Sequence, residues 1–504
     1  MAETPFFAQV IGTGRGFCAR RIRRLSDSGG LMKGSTKTII AASVAVALLG
    51  GCAIGPNYQR PTLDVGAAYK ENADWKPAEP RDEIPRGKWW LAFADADLNA
   101  LMEQVEVSNQ SLKVAEARYR QATASVQSAR TSFFPSLSAT TGATKSRAAS
   151  RGGATPDTTT SYNAGLNASW EIDVWGRVRR QVEASGASAE ASRADLESVR
   201  LSLQSELAIN YFQLRVTDEQ KQLLADTVDA YKKSLELTNN RYNVGVAAKG
   251  DVVQAQAQLR STEAQALDLG VTRAQLEHAI ATLIGKPPAA FSLAPKPFTL
   301  KMPHVPVGVP SALLERRPDI AAAERRAAAA NAQIGVAIGA YFPSLSLSGN
   351  VGQTSSTWSK LLSASNRAWS LGPDLALTLL DFGKRGAATD SAVAAYDQAA
   401  ATYRQTVLDG LQEVEDNLAA LRILEEEAVI QADAVKLARE SVLLTTNQYK
   451  AGTVSYLNVV TVQASQLSNE RTAVSLLGRR LSAAVGLIRA LGGGWSATEA
   501  PANK

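Results

Sequence analysis

Metal ligation and nucleophilic catalysis require His, Cys or acidic side chains to be brought together. This chain has only two His, His278 and His304, and two Cys, Cys18 and Cys52. Too few are present to build a His/Cys metal site or a disulfide framework, and no cofactor or metal is expected. His278 stands beside Glu277 in a helical stretch and reads as a surface or packed side chain. Gly12-Thr13-Gly14-Arg15-Gly16 lacks the lysine of a phosphate-binding loop. Glu413, Glu415 and Asp416 read as a solvated acidic face. No nucleophile–base pair emerges, so the chain is not expected to be an enzyme. Of these side chains, Cys52 alone sits in a context that prescribes a covalent reaction.

That context is an address. Met32-Lys33-Gly34-Ser35-Thr36-Lys37 supplies positive charge, Ile39 to Leu49 is apolar, and Leu49-Gly50-Gly51 puts small residues before the cysteine. Such a series is a secretory signal. The tetrad Leu49-Gly50-Gly51-Cys52 resembles the acylation site of bacterial lipoproteins, in which the Cys becomes the lipidated N-terminus. Ala53 follows, rather than the Asp that retains lipoproteins in the inner membrane. Residues 1–31 precede an already complete signal, so translation is expected to begin at Met32, with 32–51 as the signal peptide.

The elements around this address repeat. Phe133-Phe134-Pro135-Ser136-Leu137-Ser138 recurs as Tyr341-Phe342-Pro343-Ser344-Leu345-Ser346, an offset of 208. Trp175-Gly176-Arg177 recurs as Phe382-Gly383-Lys384, and the stretch from Leu237 to Gly245 as Leu444 to Gly452, at 207. A steady offset of this length reads as a duplicated half-protein. In each half the hydrophobic period switches to two. Tyr162, Ala164, Leu166, Ala168, Trp170, Ile172 and Val174 alternate with polar residues or Gly, and Trp369, Leu371, Pro373, Leu375, Leu377 and Leu379 repeat the pattern. The expected result is one long hairpin per half, at about 135–175 and 343–382, with Trp170 and Trp369 in an aromatic girdle. The flanking sequence is helical and free of Pro from Gly176 to Tyr242 and from Gly383 to Tyr449. A helix of that length is about 100 Å long. The first repeat is read as 95–286 and the second as 311–491, each a helix, a hairpin, a long helix, a tip (about 241–250 and 448–457) and a helix. Residues 52–94 form an N-terminal segment, 287–310 a Pro-rich linker and 492–504 a tail.

The charge balance, 54 basic minus 48 acidic giving +6, is mild and interspersed, so it does not point to nucleic acid. No apolar run reaches the roughly 20 residues of a spanning helix; a crossing must use strands. Four strands cannot close, because the smallest bacterial barrels have about eight, and an open edge is not tolerated in a bilayer. Several copies are required, and the sequence alone leaves their number open. Two functions remain: a passive export duct, and a coiled-coil lipoprotein spacer. A spacer needs no lipid-facing strands, which favours the duct.

Taken together, the repeat, the Phe-Pro-Ser before each hairpin and the Arg-Tyr-x-x-Gly turn resemble the outer membrane efflux factors of the TolC/OprM kind. Gly55-Pro56-Asn57-Tyr58, Arg60-Pro61 and Trp89-Trp90 with Phe93, Asp95, Leu98 and Leu101 are similar to its NodT-type lipoprotein branch. The resemblance covers Cys52 to Trp495. It implies an α+β membrane protein: a homotrimer with a shared 12-stranded transmembrane β-barrel, four strands per chain, continued by a long periplasmic α-helical barrel. Residues 52–94, the linker and the tail would lie near its equator. It implies a cell outer membrane location, a periplasmic adaptor and an inner-membrane RND-type pump as partners, and export of drugs or other small molecules; a type I protein-secretion duct is the alternative. It places adaptor docking at the tips, on Arg241, Tyr242, Val244, Gly245 and Val246 and on Tyr449, Gly452 and Thr453. It puts Leu457 on the apolar position of a periplasmic gate, with Thr461 one turn on, where related proteins often carry Asp. Gln254 is the first-half equivalent of Thr461 and is also neutral. Asp251 is the nearest carboxylate; it serves either as a gate acid or as the cap of its helix. A steric gate lined by apolar and hydroxyl groups is expected.

Overall fold

The structure is a computed structural model that describes residues 54–63, 70, 88–147, 157–296 and 316–493. Cys52 and the targeting segment, 297–315 of the linker region and 494–504 of the tail lie outside the described residues. The chain divides into two compact units, one of residues 1–61, 120–190 and 324–401, the other of 62–119, 191–323 and 402–504.

The first unit is built on a four-stranded antiparallel sheet in the order β1-β2-β3-β4: β1 is Ser136–Arg147, β2 Thr158–Ile172, β3 Ser344–Ser355 and β4 Arg367–Ala376. The register joins the two hairpins through β2 and β3, pairing Trp170 with Leu347 and Leu166 with Val351. Because directly paired residues share a face, the register sorts the sheet cleanly. Ile172, Leu345 and Leu375 form one row, Trp170, Leu347 and Pro373 the next, then Leu137, Ala168, Gly349 and Leu371, then Ala139, Leu166, Val351 and Trp369. The opposite face carries Ser169, Ser348, Asn167, Asn350, Ser370, Thr140 and Thr354. The apolar face is uncovered: Leu137, Trp369, Leu371 and Leu375 are each about two-thirds exposed or more. The alternation in the second half runs on to Leu379, but β4 ends at Ala376, and Leu377 and Leu379 follow it in irregular, exposed chain.

Each hairpin returns to helix through an acidic cap. Asp173 accepts hydrogen bonds from the N–H groups of Val178 and Arg179 at 3.0 and 2.9 Å. In the second half Asp381 accepts from Gly383 and Arg385, and the Arg385 guanidinium at 2.6 Å holds its carboxyl below the usual range. The helices that follow match in length: α3, Arg177–Asn243, and α6, Lys384–Lys450, have 67 residues each. The return helices α4, Lys249–Leu283, and α7, Tyr456–Ala490, have 35 each, and the entering helices α2, Gln110–Thr131, and α5, Pro318–Gly339, have 22. Among the described residues no helix is long and apolar enough to cross a membrane.

Of the single segment expected at 52–94, the described residues fall in both units. Ile54 donates its N–H to the Trp175 carbonyl at 3.1 Å, and Arg180 bonds the Ile54 carbonyl and the Asn57 side chain, so this stretch is pinned at the end of β2. Trp89 and Phe93 instead enter the core of the second unit. Trp89 is fully buried and donates to Gln204 at 3.1 Å; Phe93 meets Phe212 with ring centroids 4.8 Å apart.

That second core contains a polar frame. Asp95 caps helix α1, Ala96–Ser108, and accepts from the buried Tyr211 hydroxyl at 2.8 Å. Burial, with Asp95 beside it, pushes the Tyr211 pKa up. Arg215 bonds Asp97, Asp218 and the Ala294 carbonyl, while Arg273 bonds Asp218 and Glu277, and Glu277 accepts from the Leu293 N–H. The start of the linker is thereby clamped, and Glu277 is structural. The sequence reads one helix before the first hairpin, but the structure breaks it at Asn109. The Asn109 backbone is extended, and its amide spans from the Leu283 carbonyl, 2.7 Å, to the Leu112 N–H, 3.0 Å. Glu413 does more than face solvent: its side chain, 38% exposed, accepts from buried Arg317 at 2.8 Å and lies 3.7 Å from Arg489. Burial alone lowers an Arg pKa, but Asp319 and Glu413 outweigh it and hold Arg317 cationic.

Candidate functional site

The two helical tips belong to the second unit and are built alike. At the first, Gly245 has φ +77°, its N–H bonds the Tyr242 carbonyl and the Val246 N–H reaches back to Arg241. At the second, Gly452 has φ +78°, with Gly452 bonding Tyr449 and Thr453 bonding Gln448. This 6→1 and 5→2 pair closes a helix C-terminus, and the left-handed residue it needs is glycine. Both glycines are therefore helix caps. The space beside them is open: a Cβ on Gly245 would meet nothing within 4 Å, and one on Gly452 only the end of Arg241 at 3.9 Å.

The structure brings Arg241 and Tyr449 together. The guanidinium lies 4.8 Å from the Tyr449 ring centroid and donates to the Lys450 carbonyl at 2.9 Å, capping the end of α6. Tyr449 is 4% exposed and packs edge-on against Tyr456 at 5.3 Å. Tyr456 is buried too, bonds Ser234 through its hydroxyl at 3.1 Å, and has its pKa raised by that burial. So two of the residues expected on the docking surface form a latch between the tips. The outer surface keeps Tyr242, Val244 and Val246, at 42%, 73% and 63% exposure, with Gly245, Gly452 and Thr453 beside their own turns. Sequence reading missed Tyr456 and the Arg241–Tyr449 contact.

Leu457 is 53% exposed, and Thr461 is exposed one turn further along α7 with its hydroxyl donating to the Leu457 carbonyl at 2.9 Å. Within the chain, then, this face is unpartnered. Asp251 and Gln254 are half-buried at the start of α4. Asp251 is not the helix cap. Ala248 holds that position without a side-chain bond, and Asp251 stands in the first turn, where a carboxylate meets the positive end of the helix dipole. Trp369 is 74% exposed on the apolar sheet face, whereas Trp170 is half-buried and donates to the Phe133 carbonyl at 3.0 Å.

A further surface lies on α6. Ile423, Ile430, Leu437 and Leu444 are spaced by seven and are 51%, 71%, 64% and 54% exposed. Period seven on one helix is the seam of a coiled coil, and the repeat was there to be read in the sequence.

The family model described as "Outer membrane efflux protein" matches residues 101–286 and 309–493. The chain belongs to the outer membrane efflux protein family. A relative described as a probable efflux pump outer membrane protein, TtgC of Pseudomonas putida, is 31% identical over 479 residues, 93% of this chain and 98% of its own length. The pyoverdine export outer membrane protein OpmQ of Pseudomonas aeruginosa is 32% identical over 467 residues, 90% of this chain and 96% of its own. Among solved structures, the outer-membrane channel OprN superposes with a TM-score of 0.82 at 34% identity, covering 88% of this chain and all of that one. This family member is an outer membrane efflux channel.

Proposed function

We propose that the chain is the passive exit duct of a tripartite efflux system, working as a homotrimer with a periplasmic adaptor and an inner-membrane RND-type pump that supplies the energy. The observation that carries this is a sheet with one apolar, uncovered face, one polar face and two open edges, β1 and β4. In lipid the edges must pair. β4 of one copy against β1 of the next closes three sheets into a 12-stranded barrel whose Ser, Asn and Thr face lines a polar lumen. Six residues separate the Ile172 row from the Leu166 row, the last of the apolar rows, about 20 Å along the strand and roughly 15 Å in height at the usual tilt, and Ala164 and Tyr162 continue the face on β2 toward the height of the apolar band of such barrels. The matched lengths of α3 and α6, and of α4 and α7, support the duplicated architecture and a helical duct. The export of pyoverdine by OpmQ favours small molecules as cargo over proteins. Cysteines on the polar face at Ser370, with one of Ser138, Thr140 or Gly142, should cross-link into covalent trimers. Failure of all three pairs in membranes would refute the closure.

Lipidation at Cys52 fits the position of Ile54, which is held at the end of β2, two residues away. Acyl chains contribute about 0.8 kcal/mol per buried CH₂, but the barrel anchors the protein as well. Cys52→Ser should therefore lose labelled palmitate and leave protein in the outer membrane; undiminished labelling would contradict the assignment.

Trp170 and Trp369 fit the aromatic girdle. Tyr242, Val244 and Val246 would face the adaptor, and Leu457 and Thr461 would line a steric gate. Leu457→Ala with Thr461→Ala should raise conductance and admit vancomycin, while Asp251→Asn should change cation block little, because no second carboxylate replaces Thr461 or Gln254. A double variant as closed as the parent would displace the gate.

A further inference from the structure

The sheet's apolar face ends in cations. The strand register puts Lys145 and Arg147 on the same face as Leu137 and Ala139, and pairs Arg367 with Gln353 on the same face as Trp369 and Leu371. All three sit toward the hairpin-turn end of the sheet, beyond the apolar rows, and all three are exposed. Lys360, in the β3–β4 connection, is exposed as well. Among the described residues none of the four side chains has an acidic partner within salt-bridge distance, and Asp157 is the one acid at this end of the first hairpin. An outward-facing charge is costly in hydrocarbon, so these positions belong at the interface. Tyr162 and Trp358 mark that level: the rings meet edge-on at 5.6 Å on this face, with Trp358 65% exposed, as amphipathic aromatics do at headgroup depth.

Beneath Arg367 the face is hollow. Small side chains leave a depression of about 440 Å³ lined by Ala139, Ala164, Leu166, Val351, Leu362 and Arg367. Leu362 is 81% exposed over it, although its neighbour Leu361 is buried. An apolar furrow with a guanidinium at its rim has two kinds of complementarity, for a hydrocarbon chain and for an anion. Arg presents a planar fork that matches phosphate oxygens, and Lys adds point charge toward the same end of the sheet.

We propose that this end of the barrel binds a phosphorylated lipid of the outer leaflet. An acyl chain would lie in the Ala164–Val351 furrow, one phosphate would be held by Arg367 at its rim and a second by Lys145 and Arg147 on β1, with Lys360 at the margin. The inference rests on the barrel reading above, because the face must be lipid-facing for the furrow to be occupied.

The test is native mass spectrometry of the delipidated trimer titrated separately with bis-phosphorylated lipid A, with its monophosphorylated form and with zwitterionic phosphatidylethanolamine. The wild type should retain the bis-phosphorylated lipid about tenfold more strongly than phosphatidylethanolamine, with the monophosphorylated form between, in keeping with the extra strength of charge-assisted bonds. The triple variant Lys145→Gln, Arg147→Gln, Arg367→Gln should lose that preference and remain a trimer with unchanged conductance. Leu362→Ala, which leaves the charges, should weaken all three lipids alike. Equal retention of phosphorylated and zwitterionic lipid by the wild type, or an undiminished preference in the triple variant, overturns the proposal while a conducting trimer leaves the duct intact. A wild type that forms neither trimer nor conductance overturns the duct, and this proposal with it.

Discussion

Leu437→Glu and Ile430→Glu are expected to abolish the trimer. The exposed residues Ile423, Ile430, Leu437 and Leu444 recur every seven positions along α6, and a face of that kind is stable in water only when another helix covers it. Full burial of one such side chain is worth about 1.5–3 kcal/mol, and three copies multiply the term. Glutamate removes that contribution and places an unpaired charge in the seam, adding several kcal/mol of cost per subunit. Folded, unassembled subunits should appear by size-exclusion chromatography in detergent, and export should fall to the level of a deletion strain. Lys436→Glu changes charge on a different side of the same helix and should keep the trimer. Trimers of Leu437→Glu as stable as the wild type would mean that the stripe is covered by something other than another copy.

Gly245→Glu and Gly452→Glu should each abolish export while leaving an intact, membrane-inserted trimer. The structure explains why fold and docking can be separated here. Each glycine takes a left-handed φ, which costs a side chain about 1 kcal/mol, but the space beside each is open, so no packing clash is added. Gly245→Ala and Gly452→Ala carry the same backbone strain without the bulk or charge and should retain most export. The measurement is drug susceptibility together with co-purification of the adaptor. Normal resistance in both Glu variants would remove docking from the tips. Equal loss in the Ala variants would show that the turn geometry itself is what the partner reads.

How much of this was legible in the sequence depends on how far apart the interacting residues are. Strand β2 was readable because period two is local: Tyr162 to Ile172 alternate without interruption. Strand β1 was harder, because the outward positions after Leu137 are Ala139, Thr141 and Ala143, too small and polar to mark a face. The long helices followed from the absence of Pro, and the tip turns from glycine at the end of each. Helix α1 ends at Asn109 for a reason 174 residues away, the Leu283 carbonyl, which no local pattern announces. The same holds for Glu413, which pairs with buried Arg317, and for Arg241, whose partners Tyr449 and Lys450 meet it only once the two tips are side by side. At the gate, Leu457 and Thr461 could be placed on one helix face from their spacing, but their exposure required the structure, as did the finding that Ala248 rather than Asp251 occupies the cap position.

The most direct test of the duct is single-channel recording of the purified, full-length protein in a planar lipid bilayer. The expected result is small, discrete and cation-insensitive steps for the wild type, from trimers held nearly closed at Leu457 and Thr461, and steps several times larger for the Leu457→Ala, Thr461→Ala variant. A bilayer that stays silent with both proteins, although trimers are shown to have inserted, would contradict a continuous path through the molecule.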